Sequence, residues 1–261
     1  MAPRGIVAAS VASIFAIELV QFGFEEAGRL VPYTFAVILG TVTIYGLVSP
    51  ILAKFLHLSQ SNPQGMLIIG AHRWARQLAM CLHTEGFPTL LVDTNYNNVS
   101  SANLMGLNAK YANILSENIF DELDLTGIGR LISITPNEEV NNLAALHFQE
   151  FFGRAEVYQL PSPSDRLEGR PVEAAHLRGR VLFGKDYGYE LIDRYIENGA
   201  VIKTTEITAE FDYARFKQHY RQLAVPMFLI PEKNKILIFT QENQPDPAPG
   251  SLLISLVYEQ S

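Results

Sequence analysis

The chain has 261 residues, 48% of them hydrophobic, with a mean hydropathy of +0.10 and a formal charge of −7. That length leaves room for two domains, and an acidic chain with no concentrated basic patch excludes nucleic acid as a partner. Its single cysteine, Cys81, excludes an intrachain disulfide and a cysteine-only metal site, and it fits a reducing compartment.

The apolar excess sits at the front. Within residues 1–58, Glu18, Glu25 and Glu26 balance Arg4, Arg29 and Lys54, so the whole net charge belongs to residues 59–261. Residues 5–22 are apolar apart from Glu18, Gln21 and small hydroxyl side chains, and residues 33–55 carry no charge before Lys54. Both stretches reach bilayer-spanning length, so a membrane segment of two helices is expected over residues 1–58. The basic n-region and cleavage site of a secretory signal are not present. Ala8, Ala12 and Ala16 repeat at four-residue spacing, as do Ala36 and Gly40. Such small-residue ridges let membrane helices pack closely, so further helices are expected from a missing N-terminal part or a partner chain.

A short polar linker, residues 60–64, leads into an alternating pattern. An apolar run closes on Gly70, a helix-like stretch follows to Glu85, and a second apolar run ends on Asp93, 23 residues after Gly70. Strand, glycine turn, helix and parallel strand open a doubly wound nucleotide-binding sheet, with an acid where a ribose-binding carboxylate is expected. The turn reads Gly70-Ala71-His72-Arg73-Trp74-Ala75, so His72 stands where a diphosphate would meet bare backbone. Together His72, Arg73 and Arg76 offer a phosphate side-chain charge in place of backbone amides. Further on, a helix is expected over 97–105, a third strand over 111–115, a helix over 117–125 and a fourth strand over 130–134. A capping box on Thr135 with Pro136 in the first helical position would then start a helix to Phe152, before a fifth strand over 156–160. A ligand would sit at the strand ends near Gly70, Asp93 and Thr135.

Residues 161–170 have linker composition. Beyond them a small α+β lobe is expected over 161–261. It would comprise a strand at 181–183, helix 189–197, strand 201–207, helix 213–223, a hairpin of 226–230 and 235–240 turning through residues 232–234, and a last strand 252–258. The fold class is therefore α/β, with domains 1–58, 62–160 and 161–261. Tyr213 and Lys217 stand at the Tyr-x-x-x-Lys spacing of short-chain dehydrogenases. A chain with 11 tyrosines and 7 lysines supplies that spacing by chance about 0.3 times, so it carries no enzyme assignment.

Two stretches point to known families. Residues 2–10, with Arg4 and Gly5, resemble the Arg-Gly-bearing penultimate membrane helix of monovalent cation/proton antiporters of the sodium/proton exchanger type, and residues 33–55 would be their last helix. Residues 65–160 resemble the RCK or TrkA N-terminal domain through Leu67-Ile68-Ile69-Gly70, Asp93 and the run from Thr135 to Asn141. The resemblance implies a Rossmann-like regulatory domain that takes an adenine nucleotide or NAD(H), a transport-related role for Arg4, and a homodimer. It places the chain in a membrane, multi-pass and in a bacterial inner membrane, with residues 59–261 cytoplasmic. It departs from these families in two places. No aspartate precedes Asp93, and the Gly-Asp pair that often ends the third strand is here Ala112-Asn113. The expected function is the C-terminal regulatory part of a cation/proton antiporter, not an enzyme. The alternatives are a membrane-anchored NAD-dependent oxidoreductase and a regulatory subunit of a potassium channel or uptake system.

Overall fold

The computed structural model describes residues 4–55, 63–162, 178–221, 223–232 and 235–258, in two compact units, 1–61 and 62–261.

In the first unit α1 (Arg4–Gln21) and α2 (Leu30–Phe55) are joined by a short 3-10 turn at Glu25–Arg29. Ala12 and Ala16 of the expected ridge are buried where the two helices pack, and a Cβ added at Gly5 would lie 2.9 Å from Ile38 Cγ2. Ala36 is exposed, and a Cβ added at Gly40 would meet nothing within 4 Å, so that ridge faces away from α1. Among the described residues, one of the two expected spans has the length and apolarity that crossing a membrane needs. Glu25–Ser49 is long and apolar enough to cross a membrane, whereas the other apolar stretch, Val7–Gln21, falls short of spanning length.

The second unit holds two sheets. Six parallel strands, β1 (Gly65–Ile69), β2 (Thr89–Asp93), β3 (Ala109–Tyr111), β4 (Ile128–Ser133), β5 (Val157–Gln159) and β6 (Arg180–Val181), are ordered β3-β2-β1-β4-β5-β6. This is the doubly wound order with its reversal between β1 and β4. All five residues of β1 are buried, as a central parallel strand covered on both faces requires. A Cβ at Gly65 would lie 2.5 Å from the Gly127 carbonyl oxygen and 2.9 Å from that of Pro88, so only glycine fits between those backbones.

The crossover helices are α3 (Arg73–Thr84), α4 (Tyr96–Leu104), α5 (Ile119–Glu122) and α6 (Glu138–Phe152). α3 buries Trp74, Ala75, Leu78, Ala79 and Leu82, a stripe of helical period. α6 covers the other face with Ala144, Ala145 and Phe148.

The second sheet is antiparallel, ordered β7-β10-β8-β9: β7 (Ala200–Glu206), β8 (Ala224–Glu232), β9 (Lys235–Ile238) and β10 (Leu252–Tyr258). α7 (Tyr189–Glu197) precedes it and α8 (Tyr213–His219) caps its far face through Phe216 and Tyr220. α3 packs against both β2 and β7, so one apolar cluster runs from Met66 and Ile68 through Trp74 and Leu78 to Ile202, Val225 and Phe228.

Several elements differ from the sequence reading. The third strand is Ala109–Tyr111 rather than 111–115, because Asn113 Oδ1 accepts the Leu115 N–H and turns the chain. Ile114 is apolar because it is buried beneath α5, away from the ladder. The next helix has four residues rather than nine. Leu123 is extended, and Asp124 accepts from Thr126 N in a side-chain turn. The cap of α6 is Asn137, not Thr135. Asn137 Oδ1 accepts from Glu139 N and Val140 N, which leaves Pro136 outside the helix.

The stretch at 181–183 also belongs elsewhere. β6 pairs with β5 and extends the parallel sheet, while Leu182 bridges to Thr240 and Phe183 N donates to the Phe239 carbonyl. The sheet therefore reaches past residue 160. The rest of the expected linker (residues 163–170), residues 60–62 and hairpin residues 233–234 lie outside the described residues. At the end of the front linker, Gln64 Oε1 accepts from Arg130 at 2.9 Å and from Ile236 N at 3.2 Å.

Candidate nucleotide crevice

The carboxyl ends of β1, β2 and β4 meet at the glycine turn. Gly70 adopts φ +108°, a conformation open to glycine, and its N–H donates to the Val92 carbonyl at 2.8 Å. The next residue holds the turn to β2, with Ala71 N donating to Asp93 Oδ2 at 2.8 Å. The same carboxylate accepts from Asn95 N and from the Asn98 side chain at 2.8 and 2.9 Å. Asp93 is thus a brace between the β1–α3 and β2–α4 turns. Asn95 and Asn98 were not singled out in the sequence, although asparagines directly after a strand end mark side-chain turns and caps.

His72 is the N-cap of α3. Its Nδ1 accepts from Ala75 N at 3.4 Å and its Nε2 donates to the Ile134 carbonyl at 2.8 Å, which fixes the tautomer. The ring crosses from the end of β1 to the end of β4. Its Cδ2 and Nε2 lie 3.2 Å from where a Cβ on Gly70 would stand. Trp74 packs at 4.6 Å between ring centroids, and Tyr189 from α7 meets the imidazole edge-on at 5.0 Å. Trp74 is fully buried, and its Nε1 has no hydrogen-bond partner. Tyr189 carries no local sign in the sequence, since it arrives from more than a hundred residues away.

Burial holds the His72 pKa below its ordinary 6.5, against the Ile134 carbonyl bond and the charges of Asp93 and Asp193, which favour protonation; Arg76 opposes it. The unfolded chain therefore takes up this proton first on acidification. Stability from the neutral ring is complete above about pH 6.5 and is lost as pH falls through that value toward the folded-state pKa. The midpoint of thermal unfolding is expected to drop more steeply between about pH 7 and about pH 5 in the native chain than in H72Q. Parallel curves would show that His72 does not contribute to this dependence.

The two arginines separate. Arg76 turns back and donates to the Ala71 carbonyl at 2.6 Å, whereas Arg73 is exposed on the first turn of α3. Thr135 lies next to Ile134, with its hydroxyl engaged by Asn137 and Asn141. Asn141, buried and also not singled out, accepts from Ser133 Oγ, Thr135 N and Thr135 Oγ1 and donates to the Thr135 carbonyl. Thr135 therefore fixes the end of β4, with its hydroxyl hydrogen already committed to the chain. Arg4 opens α1, and its side chain lies outside what is described. In the second sheet, Lys217 Nζ sits 4.1 Å from the centroid of the Tyr213 ring, over its face. Burial and Asp246 push that phenol's pKa up, opposite to what a proton-donating dehydrogenase tyrosine requires.

A parallel sheet of this order, with an acid at the end of β2 beside the reversal, defines the doubly wound class of nucleotide-binding domains. Residues 66–162 match the model of the TrkA-N domain, which assigns this sheet up to β5 and the turn after it. A search of curated proteins found no match. Similar solved structures include the NAD(P)-binding domain of an exopolyphosphatase-related protein from Archaeoglobus fulgidus (15% identity, 52% of this chain and 96% of that one, TM-score 0.40). A second is the TrkA-N domain of the inner membrane protein ybaL from Escherichia coli (19%, 52% and 95%, 0.39). A third is the GsuK channel bound to NAD (12%, 88% and 45%, 0.38), of which this chain spans less than half.

Proposed function

We propose that the chain is the C-terminal, regulatory part of a monovalent cation/proton antiporter, with residues 62–261 on the cytoplasmic side as a sensor of an adenine nucleotide. The observation that carries the sensing role is Asp93, a carboxylate at the carboxyl end of β2, within a segment that matches the TrkA-N domain. Its two oxygens accept three protein hydrogen bonds out of about four lone-pair positions, which leaves one for a ribose hydroxyl. Arg73 supplies exposed positive charge for a phosphate.

The membrane role is supported by the front unit. Val37, Leu39, Val42, Ile44, Tyr45 and Leu47 of α2 are all more than 60% exposed, an apolar band suited to lipid or to further helices. In this reading α1 and α2 are the last two helices of the transporter, Arg4 serves their end of the transport path, and the sensor works as a homodimer. Ligand binding would favour one arrangement of the sensor and so bias the helices, a coupling free energy between two sites.

Calorimetry on the full chain in nanodiscs, with AMP, ADP, ATP and NADH, tests the sensing role. An adenine nucleotide is expected to bind, more weakly as salt rises. No binding by any of the four would overturn it. The cytoplasmic placement is tested with a cysteine introduced at Gly250, which should resist an impermeant thiol reagent applied to intact cells. Labelling from outside would overturn that placement.

A further inference from the structure

The glycine turn of this crevice is not bare. The ring of His72 lies against Gly70, donates to the Ile134 carbonyl across the β1–β4 reversal and contacts Tyr189 of α7. Anything that approached the Gly70 backbone would have to occupy the space of the imidazole. Such a group would remove three contacts together: the Ile134 hydrogen bond, the Ala75 cap and the packing against Trp74 and Tyr189. Tyr189 belongs to the helix that leads into the antiparallel sheet, and it also packs at 5.9 Å against Trp74. Charged groups face the ring from three elements: Asp93 from β2, Arg76 from α3 and Asp193 from α7.

We infer that His72 is an internal latch on the crevice. It holds the diphosphate position shut, and its release loosens α7, so that occupation of the turn is communicated to the C-terminal sheet. A ligand that reaches only Asp93, such as a nucleoside monophosphate, leaves the latch closed. A ligand with a bridging diphosphate binds only the open fraction, and its apparent affinity falls by that fraction. The sensing role proposed above supplies the identity of the ligand, but the latch and its contact with α7 are properties of the protein alone.

The test uses the full chain in nanodiscs, with ADP-ribose and AMP as probes and amide hydrogen exchange across α7 as a ligand-free readout. H72G, which restores bare backbone, is expected to bind ADP-ribose at least about tenfold more tightly than the native chain, a gain that AMP does not share. Y189A, which keeps the imidazole and removes its support, should show a smaller gain in the same direction. Exchange over α7 is expected to rise several-fold in both variants. Equal ADP-ribose affinity in native and H72G protein would overturn the inference, as would unchanged exchange over α7 in both variants. If neither probe binds any variant, the nucleotide reading fails. Faster exchange over α7 would then still support the latch, and unchanged exchange would overturn it too.

Discussion

Replacing Trp74 with alanine is expected to cost about 3–5 kcal/mol of stability, the usual loss for a fully buried large aromatic side chain. Trp74 lies where α3 is pressed between the parallel sheet and β7, so the void would open toward both sheets. Its indole N–H has no acceptor, so W74F removes volume without orphaning a partner and should cost less, about 1–2 kcal/mol. Unfolding of the full chain in detergent, followed by near-ultraviolet and far-ultraviolet circular dichroism, separates these values. A W74A midpoint within a degree of the native one would show that the layers can close over the gap.

Asp93→Ala is the second large effect, and it acts on stability and binding together. The carboxylate accepts two backbone N–H groups and one side-chain amide, and hydrogen bonds to a charged group each contribute about 1.5–3 kcal/mol. The site is half exposed, so the summed loss is expected at about 2–4 kcal/mol. Asp93→Asn should not rescue it, because an amide must turn its NH2 toward one of three donors. Urea midpoints and nucleotide titrations on the same samples check this. A D93A chain that lost only binding would restrict Asp93 to ligand contact. One that lost only stability would leave it as the brace alone.

The central strands were legible because a buried parallel strand is a short apolar run between breakers, and the runs ending at Ile69, Val92 and Ser133 carry no competing signal. The short elements were not. Ile114 has the composition of a strand residue, but it spends its apolarity on the layer beneath α5. The cap at Asn137 was missed because Thr135 and Asn137 both suit the role. A buried side chain six residues on, Asn141, decided between them by taking the threonine hydroxyl. In the crevice, Gly70, His72 and Asp93 could be placed by spacing. That His72 would close the turn could not, since its restraint comes from Ile134 and Tyr189, on other elements.

The sixth strand bears on how this protein can be taken apart. The TrkA-N match stops at residue 162, which invites a cut there. Such a fragment would keep β1 to β5 but lose β6, baring the ladder edge of β5, and would strip the antiparallel sheet from α3. An unpaired strand edge beside an uncovered apolar helix face is an invitation to aggregate. Moving this domain into another protein would therefore require transplanting everything from Pro63 to Tyr258 as a single cassette.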